Sequence, residues 1–249
     1  MIRPIVADLH THTVSSGHAF STISENAAAA AALGLRAIAF TEHAPALCGA
    51  PIYIFFETLK VLPRYMNGVL IIRGAEVNVM DFNGTLDLEE RIMEQLEWVI
   101  ASFHQPILDP CSVAEGTRGW MGVAHNPYVD VIGHCCAGRY PFEHKTVIQE
   151  FAKMGKIVEL NNKSFQERPG ADINCPKIAE LCAEYGVPVI LSSDAHYCGD
   201  IGKVDAVSEM LKQIRFPEEL IINTDYDRVL SVVLKNCSEE TIEEIRKNG

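Results

Sequence analysis

The sequence predicts a single α/β domain, either a slightly irregular, TIM-like β/α barrel of seven strands or a doubly wound sheet. Short apolar strands alternate with helical stretches from end to end, the order expected of parallel strands joined by helical crossovers. Several strands are continuous apolar runs, such as VIASF and VPVIL, as in sheets covered on both faces. A chain of 249 residues, 48% of them apolar, has the length and the core material for one such barrel. A doubly wound sheet shares the alternation; seven strands suit a slightly irregular barrel.

The first strand is expected at Ile5–His10. A helix follows, with Ser24 as its N-cap and Gly34 at its end; its alanine-rich run from Ala27 to Leu33 reads as soluble helix. The next strands are Ala37–Thr41, Val69–Glu76, Trp98–His104 and Val129–His134, with a helix at Glu89–Leu96. Strands at Ile157–Asn161 and Val187–Asp194 complete the set, among helices at Glu143–Met154, Ile173–Tyr185 and Val204–Ile214. From Asp225 the tail reads as helical. No linker, repeat or low-complexity stretch divides residues 1–249.

The charge balance is acidic, 21 basic against 33 acidic residues for a net of -12. Such a surface repels DNA, RNA and anionic lipid unless a basic patch intervenes, but it leaves small ligands held by metal ions open. The eight cysteines, Cys48, Cys111, Cys135, Cys136, Cys175, Cys182, Cys198 and Cys237, form no CxxC pair and no disulfide framework. Reduced thiols in a cytoplasm are expected. The first strand begins almost at once, leaving no room for a signal peptide, and no apolar run reaches the length of a membrane span.

The histidines carry the functional signal. Of nine, His10, His43, His104, His134 and His196 fall at or just beyond the C-terminal ends of expected strands, and His12 and His18 lie in the loop after the first. Glu76 ends the third strand and Asp194 the last. In β/α barrels that rim builds the active site. Only His125 and His144 fall elsewhere. One histidine is ordinarily just a hydrogen-bonded or exposed side chain; seven at equivalent positions are not explained that way. In the H-x-H pair, His10 and His12 point the same way on an extended segment and can reach one metal. Imidazole suits zinc, iron, nickel and copper, and with carboxylates also manganese. Seven exceed the needs of one ion. A carboxylate such as Glu76 can serve two, and two ions roughly 3.5–4 Å apart clamp a hydroxide and polarise a phosphoryl oxygen.

The run DLHTHTVSSGHAFSTISE, followed by FTEHAP, RGAEVN, ASFH, VIGH and SSDAH, resembles the polymerase and histidinol phosphatase (PHP) superfamily, and within it the small stand-alone YcdX-like phosphatases. The resemblance spans nearly the whole chain. It implies the distorted seven-stranded barrel and three divalent ions, zinc first, with manganese or iron as variants. By motif, His10, His12, Glu76 and Asp194 would hold the first ion. Glu76 would bridge to a second held with His104 and His134, and His18, His43 and His196 would hold the third. Hydrolysis of small phosphomonoesters by metal-activated hydroxide is implied, with Glu76, Asp194 and His196 at the reacting centre. In the family the residue matching His134 is commonly followed by proline and glycine; here Cys135, Cys136 and Ala137 follow, so that loop is expected to bend differently.

Lys163 and Arg168 after the sixth strand, and Arg139, are candidate phosphate contacts, against the ordinary alternative of solvated loop charges. Asp8 is a candidate to orient a ligand; Asn161 and Asn162 either meet substrate or cap their loop; Cys135 is a packed thiol or a metal contact. The expected partner is a small phosphorylated metabolite, with no nucleic acid and no membrane; self-association is left open. Three rivals stand beside this reading. An amidohydrolase also opens with H-x-H but needs a strand-end lysine, absent here. A nuclease or phosphodiesterase acting on nucleic-acid ends would need basic surface. A non-catalytic, metal-binding polymerase-accessory module would have lost ligands, and this set is complete.

Overall fold

Inward-facing side chains alternate along the strands, and their chemistry changes with height. In the computed structural model, which describes residues 2–248, eight strands form: β1 (Ala7–Thr11), β2 (Ala37–Phe40), β3 (Tyr65–Met66), β4 (Val69–Asn78), β5 (Trp98–Ser102), β6 (Val131–Ile132), β7 (Ile157–Asn161) and β8 (Val189–Ser192). Met1 and Gly249, the ends of the expected domain, lie outside the described residues. Seven strands run parallel in the order β1-β2-β4-β5-β6-β7-β8, and β3 pairs antiparallel with β4. A parallel bridge between Thr11 and Ala195, with His12 N–H donating to the Ala195 carbonyl at 2.9 Å, joins the two ends into a nearly closed barrel.

The lower interior is apolar: Ala7, Leu9, Ala37, Ala39, Leu70, Ile72, Trp98, Ile100, Val131 and Ile190 pack together there. Two terminal helices, Tyr226–Val233 and Glu239–Asn248, plug the base through Tyr226, Val229, Val233 and Ile245. Continuing up the same faces, Leu70 and Ile72 give way to Glu76 and Asn78, Trp98 and Ile100 to Ser102, Ile157 to Glu159 and Asn161, and Ile190 to Ser192; all these polar residues are buried. The period of two thus separates an apolar plug from a polar mouth on the same strands. The register of β1 against β2 shifts between Asp8 and Thr11, where His10 and His12 join the mouth.

The larger crossover helices are α1 (Ile23–Ala32), α2 (Tyr53–Thr58), α3 (Glu90–Met93), α4 (Val113–Ala124), α5 (His144–Met154), α6 (Ser164–Glu167), α7 (Ala171–Tyr185) and α8 (Asp205–Gln213). The N-cap of α1 is Thr22, not Ser24: Thr22 and Glu25 close a capping box. Ser112 and Glu115 do the same for α4, a helix that the apolar periodicity does not reveal. The stretch expected at Glu89–Leu96 shortens to α3, and the fifth strand shortens to two residues. Among the described residues no helix is long and apolar enough to cross a membrane.

Candidate metal centre

Every histidine expected at the rim is brought to one end of the barrel. β4 presents Glu76 at its centre; the residues after β2, β5, β6 and β8 present His43, His104, His134 and Asp194–His196; and the loop after β1 brings His12 and His18. Local backbone fixes these placements. Glu76 N–H donates to the Glu42 carbonyl and Ala44 N–H to that of Glu76, both at 2.9 Å, locking His43 beside Glu76. His134 (φ 26°) and Asp194 (φ 52°) sit in the left-handed region, as Asn67 and Arg215 do away from the rim.

The donor atoms converge in pairs. His10 Nε2 and His12 Nε2 are 3.0 Å apart, His104 Nε2 and His134 Nε2 3.2 Å, and His18 Nε2 and His196 Nε2 3.0 Å. Two nitrogens on one tetrahedral zinc stand roughly 3.3 Å apart. Glu76 lies between two of the pairs. Its Oε1 is 3.0 Å from His134 Nε2 and 3.2 Å from His104 Nε2, while its Oε2 is 3.3 Å from His10 Nε2 and 3.4 Å from His12 Nε2. His43 Nδ1 is only 2.7 Å from Oε2, yet both atoms are buried without a properly aligned hydrogen bond. Atoms crowded like this, facing one another without bonding, suit a shared cation. Asp194 Oδ1 completes the floor at 3.3 Å from His12 Nε2. Three sets of donors each lie within 4.8 Å of one another: His10, His12 and Glu76; His43, Glu76 and His104; and His12, His43 and His196. His43 belongs to two of them.

A second layer holds the rings, and much of it was not expected from sequence. Glu159 Oε1 is 2.5 Å from His10 Nδ1, and its other oxygen accepts from His134 N–H at 2.6 Å. Asn78 Oδ1 is 2.7 Å from His104 Nδ1, Ser16 Oγ 3.1 Å from His12 Nδ1, and the Ser16 carbonyl 3.0 Å from His18 Nδ1. Anchoring one ring nitrogen aims the other at the ion. Ser102 Oγ donates to Glu76 Oε1 at 2.7 Å. Buried Glu42 accepts from Thr13 N–H, Thr13 Oγ1 and Ser16 Oγ, so it holds the His12–His18 loop. Asp8 accepts from Ser193 and Gly202 and bonds no histidine; it pins the loop after β8. Asn162 Oδ1 accepts from Ala206 and Val207 N–H at the start of α8, a capping role. Cys135 is packed in the hydrophobic core.

Electrostatics keep most donors ready for a cation. Burial alone would raise the Glu76 carboxyl, but His10, His104 and His43 outweigh it and hold it well below its usual value. Asp194 is lowered in the same way by His10, His12 and Arg168 against burial. Burial, reinforced by His43, pushes His12 well down; burial with Arg168 lowers His134 to about 4, and burial with Lys163 lowers His196 to about 4. His10 is the exception: burial would lower it, but Glu159, Glu76 and Asp194 raise it well above the ordinary imidazole value.

The expected cations stand around this centre. Arg168 donates to Asp194 Oδ2 at 3.0 Å, and Lys163 Nζ lies 3.0 Å from His196 Nδ1. Arg139 lines a side chamber that shares His104 and His134 with the centre. His125 is off the rim, paired with Glu150 at 3.1 Å, and His144 begins α5.

Comparison with known proteins agrees with this fold. The profile of the PHP domain matches residues 8–214. A probable phosphatase of Clostridium novyi is 44% identical over 91% of this chain and 93% of its own. A probable phosphatase of Photobacterium profundum is 40% identical over 96% of this chain and 98% of its own. Among solved structures, histidinol phosphate phosphatase of Lactococcus lactis, complexed with zinc, L-histidinol and phosphate, superposes with a TM-score of 0.59 over 85% of this chain and 94% of that one. At 16% identity this last likeness speaks for the fold alone.

Proposed function

The chain belongs to the PHP domain family, and from that premise we propose that it hydrolyses small phosphomonoesters with divalent ions held at the barrel rim. The observation that carries the reading is Glu76, whose two oxygens face two different imidazole pairs. A carboxylate placed in this way would serve as a bridging ligand. His10, His12, Glu76 and Asp194 would hold one ion, Glu76, His104 and His134 a second, and His18, His43 and His196 a third. Zinc suits this nitrogen-rich set; manganese and iron fit the same donors. The phosphatase names of the relatives support the reaction, and the clustered imidazole and carboxylate donors support the metal.

When bound, such ions supply a nucleophilic hydroxide at neutral pH and offset phosphoryl charge. The chain's own residues do the rest. Glu76 and Asp194 hold negative charge at the floor and fix the spacing of the sites. Lys163 and Arg168, at the mouth, meet phosphoryl oxygens that project outward, while the buried walls limit water to the reacting face. His196, half-covered beside Lys163, lines the side from which substrate enters. A monoester dianion would present three free oxygens to Lys163, Arg168 and the ions that the rim residues would hold. A nucleic acid needs a basic track along a groove, and the net charge of -12 with sparse rim cations does not supply one. Eight free thiols fit a cytoplasmic setting.

The test is a side-by-side assay of para-nitrophenyl phosphate, its bis-ester and a labelled single-stranded oligonucleotide at matched metal. Clear monoester turnover with far slower cleavage of the others is expected. Equal or faster turnover of the oligonucleotide would contradict the reading and favour the nuclease alternative.

A further inference from the structure

Beside the metal centre lies a chamber of about 190 Å³ that opens from His104 and His134 and is walled by Phe103, Tyr140 and Pro169. The chamber shares His104 and His134 with the centre, so a leaving group directed to that side would enter it. Three charged side chains also line it: Arg139, Glu167 and Arg168. Two of them already have counter-charges. Arg168 is paired with Asp194 at 3.0 Å, and Glu167 lies 3.7 Å from Lys163. Arg139 makes no hydrogen bond or ion pair among the described residues.

Its position is nonetheless built. Gly138 N–H donates to the Pro169 carbonyl at 3.0 Å, and a Cβ at Gly138 would meet that oxygen at 2.8 Å, so the two loops touch where only glycine fits. Asn174 Nδ2 donates to the Cys136 carbonyl at 3.1 Å, and Tyr140 OH to the Leu108 carbonyl at 2.8 Å. Arg139 is therefore held between two fixed neighbours on a loop tied to both sides of the chamber, with its guanidinium uncommitted. A free guanidinium beside apolar walls matches a planar carboxylate, which it can grip with two parallel hydrogen bonds.

We propose that this chamber receives leaving groups ending in a carboxylate and that Arg139 selects them, so that the preferred substrates are short phosphorylated hydroxy acids. The proposal rests on the phosphomonoesterase reading above. Arg139 is a specificity residue here: it touches the far end of the leaving group and takes no part in the bond cleavage. Because the side chain is exposed, its contribution is modest and sensitive to salt.

A matched pair of substrates isolates the effect. 3-Phosphoglycerate and sn-glycerol 3-phosphate differ by a carboxylate in place of a hydroxymethyl group. The zinc-loaded wild type is expected to favour the acid by about tenfold in kcat/KM, a difference worth about 1.4 kcal/mol and carried by KM. Arg139→Met should bring the ratio close to one and Arg139→Lys should leave it in between, with the zinc content of both variants matching wild type to show an intact centre. A wild-type ratio at or below one, or a ratio unchanged in Arg139→Met, would overturn the proposal while leaving the phosphatase reading in place if para-nitrophenyl phosphate is still cleaved. Failure of the loaded wild type to cleave any of the three esters would overturn both.

Discussion

Glu159 Oε1 lies 2.5 Å from Nδ1 of His10, and both side chains are fully buried beneath the candidate metal centre. The carboxylate fixes the imidazole with Nε2 turned toward Glu76, and its second oxygen holds the backbone of His134. Glu159 therefore orients ligands of two candidate sites without reaching either ion. Glu159→Gln keeps the shape and removes the charge. It should weaken metal binding by about 10–100-fold, the usual effect of losing such an outer partner. Titration of the stripped protein with zinc against a competing chelator measures this; unchanged affinity would remove Glu159 from the site.

Glu76 faces both imidazole pairs, so Glu76→Gln should reduce activity by more than that and lose about two ions together, as one carboxylate gives way at two sites. His125→Ala and His144→Ala should do neither, because His125 pairs with Glu150 away from the rim and His144 begins α5. Metal analysis and turnover of the three variants check the map. Damage from His125→Ala equal to that from Glu76→Gln would refute it.

His134 and His196 give the metal-free fold a pH dependence of one sign, which His10, raised rather than lowered, opposes. Burial lowers His134 and His196 to about 4 from an ordinary 6.5. Between those values the unfolded chain binds more protons than the folded one, so stability is full above about 6.5 and is lost as pH falls toward 4. Chelator-treated protein should therefore melt at a lower temperature at pH 5 than at pH 7. His134→Gln should narrow the gap, since glutamine does not titrate. A gap as wide as in wild type would show that His134 does not contribute.

Packing makes a separate demand at Gly133. A Cβ there would sit 2.0 Å from Ser102 Oγ, the hydroxyl that donates to Glu76. Gly133→Ala should cost about 1–3 kcal/mol in stability, as overpacking does, and should also weaken zinc binding by displacing Ser102. Thermal melting and zinc titration read the two effects; a variant with normal values for both would mean that the loop after β6 yields freely.

The rim was legible because strand ends and histidines coincide: His104 and His134 follow short apolar runs, and His10 and His12 are two apart on an extended segment. The second layer was not. Glu159 lies in the middle of IVELN, and the apolar neighbours that reveal the strand distract from the one charge facing inward. That charge, in a strand otherwise buried, was the available signal. Glu42 stands next to His43, whose role is plainer, and its partners Thr13 and Ser16 lie about thirty residues earlier, in the loop after the neighbouring strand β1. In α4 three glycines blur the apolar period, although the Ser112–Glu115 capping box marks its start. The cap of α1 fell two residues from its expected place because Ser24 and Thr22 are both good caps, and only Thr22 has a glutamate three residues on.

If a cluster of metal ions at this rim cleaves phosphomonoesters, activity must follow metal occupancy, and a metal titration of activity tests that most directly. Protein stripped by chelation is assayed on para-nitrophenyl phosphate as zinc is returned in steps, with bound metal measured at each step. Turnover should be absent from the stripped protein and should rise as about two to three equivalents bind per chain. Full turnover without metal, or saturation of activity at one equivalent or fewer, would contradict the claim.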